Sequence, residues 1–184
     1  MPEKPWQPYA PNGQRIEGQL SLKDARLGAL HGAVHVWLWQ LDGNGEKKVL
    51  LQRRSAAVTT WPNCWDISAA GHIDAGEATL DAALRETQEE VGLSVDKSAL
   101  SLLFAFRQRI VYDTIIENEL QWIYGLQLTE EHIFLLQADE VSETMWLPLS
   151  DLRRLANGEL EGHDLVPHGD VYFQNVVRGL ELSD

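Results

Sequence analysis

Residues 71–93 read GHIDAGEATLDAALRETQEEVGL, and no other stretch of the chain says as much about the fold. Apolar residues recur along it with the period of about 3.6 that marks an amphipathic helix, which predicts a helix over residues 78–91. At about 100° per residue, Glu86, Glu89 and Glu90 fall together on a different face of that helix. The stretch therefore predicts a helix that carries three carboxylates on one patch.

Helix physics disfavours this placement of the three carboxylates. Like charges at i and i+4 cost roughly 0.2–0.5 kcal/mol, and the helix macrodipole repels anions near the C-terminus. A hard divalent cation would reverse the penalty, because Mg²⁺ prefers oxygen ligands and works through carboxylates and substrate phosphates. The triplet alone leaves two interpretations open, a solvated acidic face or a metal site.

The residues that flank the triplet favour the metal site. The stretch fits the pattern G-x5-E-x7-R-E-U-x-E-E-x-G-U, in which U is a bulky apolar residue. Its fixed positions are occupied by Gly71, Glu77, Arg85, Glu86, Glu89, Glu90, Gly92 and Leu93. This arrangement resembles the Nudix box, the loop–helix–loop signature of the Nudix hydrolase superfamily. Thr87 stands where an apolar residue is usual, which affects packing more than chemistry.

The resemblance implies a fold and an activity. The expected fold is α+β, a Nudix-type α/β/α sandwich around a mixed sheet, with residues 1–184 as one domain and residues 1–27 as an irregular lead-in that holds a short helix. The expected activity is that of a pyrophosphatase, which cleaves the diphosphate linkage of a nucleoside diphosphate derivative or another organic diphosphate. The implied cofactor is Mg²⁺, with Mn²⁺ as the alternative.

The same resemblance assigns metal ligands by position in the box. Glu86 and Glu90 would be the principal ligands, Glu89 a further ligand or the general base, and the Gly71 carbonyl an additional donor. A metal held there would polarise the phosphoryl oxygens and lower the pKa of a bound water. Charge neutralisation and positioning dominate phosphoryl transfer, so this cluster would be the main catalytic equipment.

The predicted catalytic set is Glu89, Glu119 and Arg85. By resemblance, Arg85 forms a buried ion pair with Glu77 that fixes the loop to the helix. Glu117 and Glu119 lie two residues apart on a predicted strand, so both face one side of it. They are either solvent-facing acids or a ligand and base at the metal centre, and the resemblance favours Glu119 for the second role.

Three arginines are predicted to bind substrate, namely Arg53, Arg54 and Arg107. Arg53 and Arg54 point to opposite faces of a regular strand, so only one of them can face the substrate. Arg107 shares a face with Arg109, where the two guanidinium groups would grip phosphate or pair with nearby acids.

Segments outside the box resemble a particular branch, that of type I isopentenyl-diphosphate isomerase. They are residues 30–37, residues 50–54 together with Trp61, Pro62 and Trp65, and the Glu-Asn-Glu run at 117–119. That isomerase holds a metal with histidines and the Glu-Asn-Glu acids, and it moves a proton with a cysteine just before the box glycine. Ala70 stands at that position here, so the scaffold is similar and the isomerase chemistry is not expected. An isomerase-like enzyme and a non-catalytic nucleotide-binding module remain as alternatives.

The roles of the histidines stay open at this stage. His31 and His35 lie in a segment that resembles the isomerase, His72 lies in the box stretch, and all three are candidate metal ligands. Mg²⁺ prefers oxygen, however, and a lone histidine is more often a hydrogen-bonded structural group.

The amino-acid composition limits the classes of binding partner and the cellular compartment that we expect. The 184 residues include 28 acids against 15 Lys and Arg, a net charge of −13, which disfavours a nucleic-acid polymer or an anionic membrane as partner. A small diphosphate remains compatible, because a divalent cation supplies the missing positive charge. The single cysteine, Cys64, cannot form an internal disulfide, so we expect a reducing, cytoplasmic location. The family resemblance allows a homodimer, and the sequence does not fix the oligomeric state.

The remaining pattern predicts strands and helices without a strict βαβ alternation. Ser21 is predicted to cap a short helix that runs to about Leu27. The other predicted elements are hairpins of residues 33–39 with 48–53 and of residues 102–112 with 119–128, a strand over 143–147, and helices over 150–156 and 169–182.

Overall fold

The fold is a mixed sheet with helices on both faces, in a computed structural model that describes residues 4–157, 159–160, 162 and 164–183. The strands are β1 (His31–Leu41), β2 (Lys47–Arg54), β3 (Trp65–Asp66), β4 (Ala69–His72), β5 (Leu100–Tyr112), β6 (Ile115–Gln127) and β7 (Val141–Pro148). The helices are α1 (Leu22–Arg26), α2 (Thr79–Val91), α3 (Leu149–Ala156) and α4 (Asp170–Glu181), with a 3₁₀ turn at Lys97–Ala99.

The seven strands form one sheet around β1. Five follow the order β3-β2-β1-β6-β5, while β4 also pairs with β1 and β7 with β2. β1 and β6 run parallel, with His31 opposite Glu119 at one end and Trp39 opposite Gln127 at the other, whereas the other ladders are antiparallel. The sheet is therefore mixed, which confirms the predicted fold class.

Helices cover both faces of the sheet, so β1 is buried along most of its length. On one face Trp37 and Trp39 pack with the apolar side chains of α3 and α4. On the other face Val36 and Leu38 pack with those of α2. A strand buried on both sides reads as a continuous apolar run, which is what the sequence of β1 shows.

Most predicted elements are confirmed, and two short strands were missed. Both predicted hairpins form, and Ser21 caps α1 by accepting a hydrogen bond from the Asp24 amide. β3 and β4 were not predicted, because strands of two and four residues are too short to show a measurable alternation. Their neighbours β2 and β1 impose the extended conformation.

Helix α2 differs from its prediction in which face it buries. Glu86 and Glu90 are buried with the apolar side chains, although they were expected on a separate face, and only Glu89 is exposed. Thr87 is fully buried and its hydroxyl donates to the Ala83 carbonyl at 2.7 Å, which explains how a polar residue is tolerated there. Gly92 ends the helix with φ of 76°, a conformation that favours glycine.

Residues 4–21, which precede α1, are packed against the sheet. Trp6 forms isolated bridges with Leu20 and Asp74, and Pro8 forms one with His31. The side chains of Trp6 and Tyr9 are buried. Within the described ranges, no helix is long and apolar enough to cross a membrane.

Candidate active site and metal centre

A cleft of about 730 Å³ lies between the C-terminal half of α2 and the loops around β4. Glu86, Glu89 and Glu90 line it, together with Gly71 and Arg54. The cleft therefore collects the predicted metal ligands and one of the three predicted substrate-binding arginines.

Arg85 lies among the acids around this cleft. We call the group that consists of Glu77, Arg85, Glu86, Glu89 and Glu90 the box cluster. The Arg85 guanidinium donates to both carboxylate oxygens of Glu77 at 3.0 and 2.9 Å, to Glu86 at 2.6 Å and to Glu89 at 3.1 Å. Burial opposes the charge of Arg85, but its contacts with Glu77 and Glu86 raise its pKa. The structure thus brings together the predicted Glu77–Arg85 pair, and it adds two further carboxylates to the same cation.

Glu86 and Glu90 are buried carboxyl groups with little compensation. Burial raises the pKa of Glu86 to about 7 in spite of Arg85. Burial, and then the nearby Glu86, raise the pKa of Glu90 well above its usual value. One oxygen of Glu90 accepts hydrogen bonds from the Ala70 amide at 2.9 Å and from Gln52 at 3.0 Å. A divalent cation in the cleft would supply the positive charge that this pair lacks.

Gly71 brings the backbone unusually close to the Glu86 carboxyl group. A β-carbon placed on Gly71 would lie 2.1 Å from the Glu86 carboxyl carbon. No side chain fits in that space, so the backbone and the carboxylate face each other directly. This close approach fits the predicted pairing of the Gly71 carbonyl with the box acids at one cation.

A second group, which we call the histidine–glutamate cluster, lies beside β4 and consists of His31, His72, Glu117 and Glu119. One potential ligand atom from each residue lies within 4.8 Å of all the others. His72 Nε2 is 3.3 Å from Glu119 Oε1, and His31 Nε2 is 3.7 Å from the same oxygen. The parallel register of β1 and β6 creates this proximity, because it pairs His31 with Glu119.

Two atoms of this cluster are buried without a hydrogen-bond partner, namely His31 Nε2 and Glu117 Oε2. His31 Nδ1 lies 2.9 Å from the Ala29 carbonyl, so Nδ1 carries the proton and, in the neutral ring, the Nε2 lone pair faces the cluster. This is the tautomer that histidine adopts as a metal ligand, with its other nitrogen bonded to a carbonyl. Two imidazoles with two carboxylates suit Mn²⁺ or Zn²⁺ better than Mg²⁺.

The charges of the cluster are coupled. Burial alone would raise the pKa of Glu119, but the adjacent imidazoles of His31 and His72 lower it well below its usual value. Burial, followed by the charge of Glu119, raises the pKa of Glu117. The indole of Trp6 stacks on His72 with ring centroids 3.5 Å apart and planes at 11°, which fixes the plane of that imidazole.

The three predicted substrate-binding arginines separate in the structure. Arg54 borders the cleft and donates to Asp66 at 3.1 Å. Arg53 lies on the other face of β2, where it pairs with the exposed Glu143 at 2.7 Å. Arg107 is exposed on β5 and donates to the Pro11 carbonyl. Of the three, Arg54 is the one that the structure places beside the box acids.

The comparisons with known sequences agree with the geometry. The sequence model of the NUDIX domain matches residues 30–168. Nudix hydrolase 3 of Arabidopsis thaliana is 37% identical over 139 residues, which is 73% of this chain but only 18% of that longer protein. An uncharacterised Nudix hydrolase of Listeria monocytogenes is 30% identical over 151 residues, which covers 79% of this chain and 82% of the relative. An isopentenyl-diphosphate Delta-isomerase of Leifsonia xyli is 37% identical over 56% of each chain.

Solved structures show the same fold at low sequence identity. A crystal structure from Deinococcus radiodurans aligns with a TM-score of 0.67 and 21% identity, over 94% of this chain and 96% of the other. The NUDIX domain of Shewanella oneidensis NrtR, solved with ADP ribose, aligns with a TM-score of 0.61 and 18% identity, over 87% and 93%. At these identities the likeness concerns the fold.

Proposed function

The chain belongs to the NUDIX family, and from this premise we propose that it is a divalent-metal-dependent hydrolase of the diphosphate linkage in a nucleotide-like or other organic diphosphate. The observation that carries the proposal is the pair of buried carboxyl groups, Glu86 and Glu90, on the wall of a cleft beside the Gly71 backbone. A complete set of box residues around Arg85 supports it.

The box residues fit a hard cation. Glu86, Glu90 and the Gly71 carbonyl would hold Mg²⁺ or Mn²⁺, with Glu89 within reach on the rim of the cleft. When bound, such a cation neutralises the phosphate oxygens and makes its water a stronger nucleophile. Arg54, at the border of the same cleft, would bind a phosphate oxygen through its guanidinium.

The structure supports a division of roles between Glu89 and Glu119. Glu119 is buried between two histidines, and its lowered pKa makes it a weak base. Glu89 is half exposed in the cleft, where one of its oxygens accepts from Arg85 at 3.1 Å. We therefore assign the general base to Glu89, and to Glu119 the role of ligand in the histidine–glutamate cluster.

The substrate is expected to be a small molecule. The NUDIX domain of NrtR was solved with ADP ribose, which makes nucleotide sugars one class to test here. Nucleoside triphosphates, dinucleotides and thiamine diphosphate-like compounds are the others. The net charge of −13 argues against a nucleic-acid polymer or a membrane surface as partner. We place the protein in the reducing cytoplasm on the basis of its single cysteine, and a homodimer is compatible with the proposal.

The test is a hydrolysis screen across these four classes with Mg²⁺ and with Mn²⁺, in which released phosphate, pyrophosphate or nucleoside monophosphate is measured. Glu86→Gln and Glu90→Gln are the test variants. Asp81→Asn, an exposed acid on the same helix, is the matched control. Cleavage that depends on metal and fails in both test variants but not in the control is expected. Full activity in both test variants would overturn the assignment, and binding without any cleavage would indicate a non-catalytic module.

One observation favours a second candidate, an isomerase. The histidine–glutamate cluster and the resemblance to isopentenyl-diphosphate Delta-isomerases both point in that direction. Allylic isomerisation needs an acid and a base on opposite sides of the carbon skeleton, and Ala70 offers only a methyl group where the thiol would stand. An increase of about 4 kcal/mol in the barrier is roughly a thousandfold in rate. We expect no measurable conversion of isopentenyl diphosphate, and turnover at an enzymatic rate would refute the hydrolase assignment.

A further inference from the structure

We propose that His168 is a positioning residue for Glu119 and acts through the side-chain amides of Gln108 and Gln121. The proposal rests on the proposed function in one respect, that Glu119 serves the metal centre. His168 precedes α4, while Gln108 and Gln121 are neighbours on β5 and β6. The chain of contacts therefore joins the segment before the last helix to the histidine–glutamate cluster.

The first link is the contact between Gln121 and Glu119. The amide nitrogen of Gln121 donates to Glu119 Oε2 at 2.7 Å and to Gln108 Oε1 at 3.1 Å. With Oε2 held in this way, Glu119 Oε1 faces the imidazole of His72 at 3.3 Å. The carbonyl oxygen of Gln121 is buried without a hydrogen-bond partner. The amide is therefore oriented by the two acceptors of its nitrogen, Glu119 and Gln108, and not by a contact of its oxygen.

The second link fixes the orientation of Gln108. Its amide nitrogen donates to the backbone carbonyl of His168, which can only accept. The amide oxygen must therefore point the other way, toward the Gln121 nitrogen and toward His168 Nδ1, which is 3.1 Å away. Since this oxygen only accepts, Nδ1 of His168 is a donor.

The third link is the carboxylate of Asp66. Burial alone would raise its pKa, but the His168 ring and the Arg54 guanidinium lower it to about 2, so Asp66 is charged. His168 Nε2 lies 2.9 Å from Asp66 Oδ1 and donates to it. Both ring nitrogens of His168 thus lie within hydrogen-bond distance of an acceptor oxygen. The network runs from Arg54 through Asp66 and His168 to the two amides and Glu119.

The network orients Glu119 and does not deliver protons to it. A carboxamide can align hydrogen bonds on either side, but it does not pass a proton at neutral pH. Loss of the Nδ1 donor would remove one of the two donors that hold Gln108 Oε1, and Gln121 would then hold Glu119 Oε2 less firmly. The Oε1 atom would then lose its fixed direction toward the two histidines. Groups that orient metal ligands in this way affect both metal affinity and rate.

Two conservative variants separate this role from a structural one. In His168→Asn the amide nitrogen takes the place of Nδ1, which keeps the donor to Gln108 and loses the contact with Asp66. In His168→Gln the amide nitrogen takes the place of Nε2, which keeps the contact with Asp66 and loses the donor to Gln108. A merely structural role predicts that Asn is the more harmful change, because a buried carboxylate loses its partner.

The measurements are the affinity for Mn²⁺ by calorimetry, the kcat for the cleaved substrate, and the ring signals of ¹⁵N-labelled histidine. We expect His168→Gln to lower Mn²⁺ affinity and kcat about tenfold, while His168→Asn stays within about twofold of wild type. The wild-type spectrum should show a proton on Nδ1 of His168. An Nδ1 without a proton, equal effects of the two variants or the reverse order overturns the proposal. If no substrate is cleaved, the hydrolase assignment fails on its own. The Mn²⁺ affinity and the spectrum still decide whether His168 positions Glu119.

Discussion

The box cluster and the histidine–glutamate cluster both bury carboxyl groups, but they balance the charge differently. In the box cluster one cation, Arg85, contacts three carboxylates. In the described part of the chain, Glu117 and Glu119 pair only with histidines. The box therefore has a permanent counter-charge, and the other cluster has one that depends on protonation or on a bound cation.

The net pKa shifts of Glu86 and Glu119 have opposite signs, although burial raises the pKa of both. The pKa of Glu86 is raised to about 7, whereas that of Glu119 is held well below its usual value. Without a cation, the box thus tends to keep a proton while Glu119 is ionised. The difference teaches that burial alone does not set the charge of a carboxyl group, because the partner that faces it decides the sign of the shift.

The largest expected effect is a difference in kcat between a variant of the box cluster and a variant of the histidine–glutamate cluster. Glu90→Gln should lower kcat by roughly 100- to 1000-fold, because a neutral amide cannot help to hold the cation that stabilises the transition state. His31→Gln in the other cluster should lower kcat by about tenfold. Initial rates on the substrate found in the screen provide the measurement. Equal losses in the two variants would remove the functional distinction between the clusters.

The next effect tests the charge balance through pH. Because the pKa of Glu86 in the folded protein, about 7, exceeds its usual value of 4.5, the folded state binds more protons between these pH values. In the absence of metal, this group's contribution to stability is complete below about pH 4.5 and is lost as pH rises through 7, by up to about 3 kcal/mol.

Glu86→Gln removes that dependence and provides the reference. Urea unfolding from pH 4.5 to 8 in EDTA should show that the free energy of unfolding of wild type falls relative to the variant. The opposite slope, or parallel curves, would show that Arg85 neutralises Glu86 fully. Saturating Mg²⁺ should remove part of the difference, since a ligand that binds only the folded state stabilises it.

The third effect concerns metal affinity at the histidine–glutamate cluster. Glu119→Gln should weaken Mn²⁺ binding by about 10- to 100-fold, because it removes an ionised oxygen from between two imidazoles. Glu143→Gln, an exposed acid paired with Arg53, is the matched control. Calorimetry gives the affinity, and a fluorescence change that disappears in Trp6→Phe would locate the metal beside the stacked indole. Unchanged affinity in Glu119→Gln, together with a lowered kcat, would make Glu119 the base.

The smallest expected effect is the loss of stability when Arg85, the counter-charge of the box cluster, is replaced by lysine. Arg85→Lys keeps the charge but loses the two-pronged contact with Glu77, so we expect a loss of about 1–2 kcal/mol in the free energy of unfolding. Arg107→Lys on the exposed face of β5 should change it by less than about 0.5 kcal/mol. Urea unfolding measures the free energy of unfolding of both variants. Equal values would mean that the two-pronged contact of the Arg85 guanidinium contributes nothing beyond its charge.

The sequence predicted the members of the box cluster together, but it left the members of the histidine–glutamate cluster as separate candidates, for a physical reason. Every member of the box cluster lies within one loop and one helix, where spacing translates directly into position. The histidine–glutamate cluster is assembled by the pairing of β1 with β6 and β4, and no local period records which residues become partners. The sequence offered two signals, namely the shared strand face of Glu117 and Glu119 and the resemblance to an isomerase that holds a metal with histidines and the Glu-Asn-Glu acids. The tautomer of His31 depends on the Ala29 carbonyl, which a sequence cannot reveal.

Burial of the box acids was also beyond the sequence. Helical periodicity places Glu86 and Glu90 outside the apolar stripe, yet the backbone at Gly71 covers them. The strand β4 that carries this backbone has small side chains and was not predicted. The hairpins and the two C-terminal helices, by contrast, have strong local patterns, and these predictions were confirmed.

The parallel pairing of β1 with β6 has a consequence for the order in which the molecule is made on the ribosome. Residues 31–91 contain β1, β2, β4 and α2, so the parts of the box cluster emerge together. The histidine–glutamate cluster cannot form until residues 117–119 have been synthesised. Until β6 has emerged, one edge of β1, the most buried strand, has no pairing partner. Pairings between residues far apart in the chain form slowly and leave unpaired edges exposed. A nascent chain halted before β6 would thus present an unpaired apolar strand, and it is the stage at which we expect chaperone binding to be strongest.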